Sequence, residues 1–534
     1  MSDNRIYIFD TTLRDGQQSP GAGMSFEDNL HYARYADLLG IDILEAGFPA
    51  ASETDFQIVH AIANEMTERN SKMTIAGLCQ LREEQLIKTM EALKPALANN
   101  RARVHTYVPV DPHLMEASLG ALAHDKPRII AELHRLISLA TQEGFEVEFS
   151  PEGYSRMANH FDFTSDLIRS AVAAGAKIIN CPDTIGGASS LEAEHYFVKK
   201  MQAHADLIKQ EFPQSNIIWS THCHNDFGLA LSNSIHAVFD GPARQIEGCI
   251  NGIGERAGNA ALEQCIMFIK EFGSIANPHQ PYYTEIHCEY LQDISDFVSS
   301  KMLPRQPHSP IVGENAAKHT SGGHTNAILK NPLAYQPFDP KMIGSEISFV
   351  FGPLSGGNHA QKIIQAQGYQ CTDQEKAALA QLIKDFYKTR RKGITDQELM
   401  DAYLILRAPI QLEKISYAKT NEHTTTLSLE GKFFDQTILH VCSNSNNSAL
   451  ASLAQAVDAV FPGLEIFAYH SNSGGHSVNA DCHTHITIKN NQGHYYQGKA
   501  IDSDIEIAAL KAFINAVNQA YIEMNFKNKE IAHA

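Results

Sequence analysis

A chain of 534 residues exceeds what one hydrophobic core usually holds, and 43% hydrophobic with 19% charged residues is the balance of an ordinary soluble multidomain protein. The formal net charge of −18 argues against nonspecific nucleic-acid or anionic-membrane binding, and no run of about 18 apolar residues offers a membrane span. The first residues lack a signal-peptide core, and nine cysteines, with no Cys-x-x-Cys pair, suit free thiols in a reducing cytoplasm.

Strands are predicted over 6–9, 43–46, 74–78, 103–107, 146–150, 177–180, 217–221 and 245–250. Helical patterns such as 27–39, 53–69, 126–141 and 191–210 lie between them. Eight such units in about 270 residues is the arithmetic of a (β/α)8 TIM barrel, occupying 1–275. A doubly wound open sheet is the alternative, but normally needs fewer strands. From 276 to 412 the rhythm gives way to Pro-, Gly- and His-rich sequence, with helices expected at 375–389 and 396–406, which reads as a linker with small helical subdomains. The segment 420–528 holds a weak repeat: 424–429, Gly431, Phe433-Phe434 and helical 450–460 match 485–489, Gly493, Tyr495-Tyr496 and 507–517. Each half reads as strand, turn, strand, helix. A duplicated α+β module suits a small-molecule sensor or a dimerisation unit, and a purely structural duplication would look the same.

The stretch His222-Cys223-His224-Asn225-Asp226 closes the seventh expected strand. Residues two apart on a strand share a face, so both imidazoles can point one way while Cys223 points to packing. Alone, the pair could be two surface histidines in a chain holding 26. In a closed barrel, though, the first, seventh and eighth strands are neighbours, and the loops after their C-termini form the active face. Asp10-Thr11-Thr12-Leu13-Arg14-Asp15-Gly16-Gln17-Gln18 follows the first, and Asn251-Gly252-Ile253-Gly254-Glu255-Arg256-Ala257-Gly258-Asn259 the eighth. A carboxylate, two imidazoles and an amide oxygen can therefore converge. Such mixed oxygen and nitrogen ligands suit Mg²⁺, Mn²⁺ or Zn²⁺.

These segments, with Glu45-Ala46-Gly47-Phe48-Pro49, Phe149-Ser150-Pro151-Glu152 and Pro182-Asp183-Thr184-Ile185-Gly186, closely resemble the isopropylmalate synthase–homocitrate synthase family, metal-dependent TIM-barrel enzymes. The motifs recur in the family's order, and the resemblance continues through the linker and C-terminal regions. It implies Claisen-type condensation of acetyl-CoA with a 2-keto acid. It implies Asp15, His222 and His224 as metal ligands, with Asn259 a ligand or just behind one. Arg14 matches the arginine that donates to the keto oxygen, and a structural ion pair with a barrel carboxylate is its alternative reading. Thr184 matches the hydroxyl that holds the substrate carboxylate, while His105 and Ser150 match other pocket positions. Glu152 and Glu255 match residues of the acid/base machinery, with rim salt bridges as the alternative. Which of them, or which histidine, removes the acetyl proton stays open.

In the linker, His324 and Tyr335 match family residues that reach the neighbouring subunit's active site, implying a homodimer or tetramer. Gly323 and Thr325 depart from the usual flanks. Ala257 and the extension containing Gly498-Lys499-Ala500-Ile501-Asp502-Ser503-Asp504 are most similar to the isopropylmalate branch. That implies 2-ketoisovalerate as keto acid, leucine as effector of the C-terminal domain and a place in leucine biosynthesis. Citramalate or homocitrate synthesis from pyruvate or 2-ketoglutarate, an acyl-CoA lyase or aldolase reaction, and a non-catalytic amino-acid sensor are the alternatives. Gly186-Gly187 and His470-Ser471-Asn472-Ser473-Gly474-Gly475-His476 are unusual for the typical enzyme and fit a divergent second type with a different effector response.

Overall fold

In the computed structural model, residues 4–526 are described except 329, 352–356, 391–392, 422–423, 435, 439–447 and 474–480. Eight parallel strands close into a barrel: β1 (Tyr7–Asp10), β2 (Ile43–Glu45), β3 (Thr74–Gln80), β4 (Ala102–Pro109), β5 (Glu146–Glu152), β6 (Ile178–Asp183), β7 (Ile218–Cys223) and β8 (Ala243–Gly248). The closing seam pairs Asp10 of β1 with Gly248 of β8, while Asp10 also pairs with Leu44 of β2. The TIM-barrel expectation therefore holds.

The two faces of the strands carry different chemistry. Ile8, Leu44, Val104, Phe149, Ile179 and Ile246 are buried in the main apolar core with the surrounding helices. The alternate residues face the barrel axis, where Phe9, Ile43 and Ala76 form a small apolar cluster and others form polar layers. Arg103 Nη1 donates to Glu148 (2.9 Å) and Gln245 (2.8 Å), and Gln245 Nε2 donates to Ser220 (2.9 Å). Burial pushes the Glu148 carboxyl up to about 7, although Arg103 opposes the shift.

Two expected elements differ. The pattern over 191–210 is not one helix: a 3₁₀ turn at Ser190–His195 with Ala193 at φ 52° precedes a helix at Phe197–Glu211. The chain turns there so that Tyr196, bonded through its hydroxyl to Asn233 (2.8 Å), and Phe197 are buried, leaving Leu191 93% exposed. β8 lies two residues earlier than expected. Cys249 instead bonds Ala260 and Leu262 through its backbone, starting the loop that carries Asn259.

The chain divides into two compact units, Met1–Ala317 with Gln336–Ile347, and Lys318–Tyr335 with Ser348–Ala534. In the second, helices at Asp373–Arg390 and Asp396–Arg407 fall where expected. The C-terminal duplication is present with one more strand per half: Ile410–Asn421, Thr424–Phe433 and Gln436–Ile438 precede a helix at Ala449–Asp458, and Leu464–Ser473, Cys482–Asn490 and Tyr495–Asp502 precede one at Ile505–Phe526. The two halves share one core containing Leu427, Leu453, Ile488, Phe513 and Val517. Gly431 is not a turn. It sits in a bulge at φ 136°, where a Cβ would lie 2.3 Å from the Gln411 carbonyl. Residues 474–476 of the unusual stretch lie outside the described residues.

All eight described cysteines are free thiols. Among the described residues no helix is long and apolar enough to cross a membrane. Phe149→Ala, at a fully buried position between sheet and helices, is expected to destabilise the barrel unit by about 3–5 kcal/mol, read by chemical denaturation.

Candidate active site

The loop after β1 is fixed by the buried Asp10, which accepts from Thr12 N–H (2.9 Å), Thr12 Oγ1 (2.6 Å) and Tyr32 OH (2.5 Å). Burial pushes the Asp10 carboxyl up to about 6 in spite of these bonds. The turn it holds delivers Arg14 and Asp15. His222 is the next-to-last residue of β7, and His224 follows the strand with its N–H on the Asp183 carbonyl (3.2 Å) and its backbone bridged to Asn259.

Asp15, His222 and His224 place one ligand atom each within 4.8 Å of one another. The two Nε2 atoms are 3.2 Å apart, and Asp15 Oδ2 is 3.8 Å from His222 Nε2. Two imidazoles at about 2.0–2.1 Å from one ion have nitrogens roughly 3 Å apart, so this carboxylate and imidazole set fits a divalent metal. Asn259 stands behind the trio. Its Nδ2 donates to Asp15 Oδ1 (2.7 Å) and its buried Oδ1 has no hydrogen-bond partner. Burial would raise the Asp15 carboxyl, but Arg14 and His222 hold it well below the usual range. Burial and the neighbouring His222 press His224 down to about 3, which keeps it neutral and able to ligate. Gly254, at φ 151°, permits this packing: a Cβ there would lie 2.1 Å from Asn259 Nδ2 and 2.7 Å from Asp15 Oδ1.

Arg14 is both cavity residue and ion-pair hub. Its donors reach Glu45 Oε2 (2.5 Å), Asp15 Oδ2 (2.7 Å) and Glu247 Oε1 (3.1 Å). His105, enclosed in the barrel, bonds Glu45 through Nδ1 (2.6 Å) and Ser150 Oγ through Nε2 (2.7 Å). Burial opposes its protonation, yet Glu45 raises it to about 9. Ser150 Oγ thus accepts from His105 and from Asn180 Nδ2 (2.9 Å), leaving its O–H to donate into the cavity. Thr184 Oγ1 likewise accepts from Gly153 N–H (2.9 Å).

These side chains line one open cavity of about 240 Å³ with Phe48, Leu78 and Pro182 as its apolar wall. Glu152 and Glu255 line it as well, and neither forms an ion pair among the described residues. Glu152 is half-buried and raised by burial, with Arg14 opposing, whereas Glu255 is exposed at the rim. Arg256 beside it pairs with Asp226 (2.9 Å) and bonds the Thr184 carbonyl (2.7 Å). His324 and Tyr335 belong to the second unit, where their rings stack at 3.9 Å. Sequence reasoning missed Asn180 and Glu247 and gave Glu45 no role. The available signal was polar residues two apart in otherwise apolar strands, as in Gln245-Ile246-Glu247.

Family models match the chain in three consecutive segments: HMGL-like over 5–298, homocitrate synthase post-HMGL domain-like over 311–391, and LeuA allosteric (dimerisation) domain over 395–521. Barrel, trio and trailing modules define an HMGL-like enzyme of the acyltransferase type that carries a LeuA domain. It is 33% identical to the 2-isopropylmalate synthase of Afipia carboxidovorans over 97% of this chain and 95% of the relative, and 33% identical to that of Chromobacterium violaceum over 97% and 98%. A Rhodopseudomonas palustris 2-isopropylmalate synthase is 32% identical over 99% and 97%. The chain belongs to the 2-isopropylmalate synthase family.

Gly254→Ala is expected to displace Asn259 and Asp15 and to weaken divalent-metal binding by about 10–100-fold in calorimetric titration. His105 should contribute stability that is complete below its unfolded value of about 6.5 and is lost as pH rises through about 9. The stability margin of wild type over His105→Gln should therefore shrink across that window in denaturant titrations at stepped pH.

Proposed function

We propose that the protein condenses acetyl-CoA with 2-ketoisovalerate and water to give 2-isopropylmalate and CoA, with a divalent metal held by Asp15, His222 and His224. The observation that carries this reading is one small cavity joining that trio to a guanidinium, two available hydroxyls and an apolar wall. The metal supplies Lewis acidity for the keto carbonyl. Arg14 donates to the keto oxygen as negative charge develops there, its plane set by Glu45, Asp15 and Glu247. The hydroxyls of Ser150 and Thr184 take the substrate carboxylate, and the isopropyl group lies on Phe48, Leu78 and Pro182.

Glu152 is the better base for the acetyl methyl proton. Burial raises its basicity, whereas Glu255 sits in water. The resulting carbon nucleophile adds to the keto carbon, and hydrolysis of the thioester then releases CoA. Each cation lining the cavity already has carboxylate partners: Arg14 has three, His105 has Glu45, and Arg256 has Asp226. Among the described residues lining the cavity, a second substrate carboxylate would meet no free cation, which disfavours 2-ketoglutarate. The trailing modules disfavour the lyase reading. In the same proposal, His324 and Tyr335 complete the site of the other subunit in a cytoplasmic dimer, and leucine acts at the C-terminal module.

Thiol release from acetyl-CoA should depend on Mg²⁺ or Mn²⁺, stop with EDTA and prefer 2-ketoisovalerate over pyruvate, 2-ketobutyrate, 2-ketoglutarate and oxaloacetate. Preference for another keto acid would overturn the substrate assignment. Arg14→Lys keeps the charge and loses the fork, and is expected to lower kcat by about 10²–10³-fold.

A further inference from the structure

The unusual stretch beginning at His470 lies in the second unit, at the end of strand Leu464–Ser473. Strands Leu464–Ser473 and Cys482–Asn490 run antiparallel with His470 directly opposite His485 and Asn472 opposite His483. Ser471 and Thr484, one step along, pin that register from the other side of the sheet: their hydroxyls meet at 2.9 Å, and Thr484 is fully buried. Directly paired residues share a face, as do residues two apart on one strand. His470, His483 and His485 therefore stand together on the outer face, and all three are exposed.

We propose that His470 and His485, assisted by His483, form a second metal site, a cross-strand imidazole chelate for a borderline transition-metal dication such as Zn²⁺, Ni²⁺ or Cu²⁺. Cβ atoms of a directly opposed pair lie about 4.5–5.5 Å apart, and a diagonal neighbour such as His483 about 7–8 Å away, still within reach of a ring nitrogen. The barrel pair, His222 and His224, already has its Nε2 atoms 3.2 Å apart, the spacing that ligation of one ion requires. The outer rings do not converge as closely as the barrel trio, and as exposed side chains they can reach that spacing by rotation about χ1 and χ2. Across from His485 and His483 on the third strand stand Lys499 and Ile501, so that edge adds no carboxylate. An imidazole-only donor set selects against Mg²⁺ and Ca²⁺, which demand oxygen. A bound ion would tie the two strands together across the sheet and stabilise the C-terminal module.

The site is independent of the substrate assignment, because its readout is metal stoichiometry. Tag-free, full-length protein in excess Mg²⁺ is titrated with Ni²⁺ by calorimetry beside His470→Gln, His485→Gln and His483→Gln. The wild type should take up one more Ni²⁺ per chain than His470→Gln or His485→Gln, with weaker uptake in His483→Gln. Ni²⁺ should also raise the unfolding temperature of the wild type more than that of the two pair variants. Mg²⁺-dependent thiol release should be unchanged in all three, whose substitutions are on an exposed face. Equal Ni²⁺ stoichiometry in wild type and the pair variants, or displacement of the additional ion by Mg²⁺, would overturn the proposal.

Discussion

A guanidinium sunk among carboxylates is tolerated only when its donors are engaged, and Arg14 meets that condition with three partners from three places in the chain. Glu45 comes from β2, Glu247 from β8, and Asp15 from the turn that also carries Arg14. Its side chain is 11% exposed, enough to face the cavity and too little for water to replace a lost partner. Removing one member of such a buried set costs about 3–5 kcal/mol, because the others are left uncompensated. The same contacts that hold the barrel mouth together fix the plane of the arginine where it lines the cavity.

Charge balance extends this. The deeply buried mouth sets Asp15, Glu45 and Glu247 against Arg14, His105 and His222, burial opposing the protonated form of both histidines while the carboxylates favour it. Below it, the Arg103, Glu148 and Gln245 layer fills the barrel axis with bonds satisfied inside the protein, so water need not enter from beneath.

Much of this was legible in the sequence, for identifiable reasons. The strands are short apolar runs ending in turn residues, and the candidate metal trio sits at or just past those ends, so Asp15, His222 and His224 stand out. The inward-facing Asn180 and Glu247 did not, since a polar residue alternating along a strand reads as solvent-facing until closure of the barrel turns that face inward. The first strand of each C-terminal repeat was hidden similarly: Ile410-Gln411-Leu412-Glu413-Lys414-Ile415 buries one face only, and its polar half reads as loop. The break at Ala193 depends on the partner Tyr196 finds in Asn233, which local sequence does not encode.

The position of the seam between β1 and β8 has a consequence for how the molecule comes to exist. Residues 10 and 248 must meet before the barrel closes, and it is across that junction that Arg14 reaches Glu247 and Asp15 meets His222. An open sheet of eight strands, however well its helices pack, has no assembled mouth. Ring closure and assembly of the Asp15, His222 and His224 trio thus depend on the same contacts, which join residues far apart in sequence. In a chain whose seam is still open, Asp15 is apart from His222 and His224, so the assembled trio coincides with a complete cylinder.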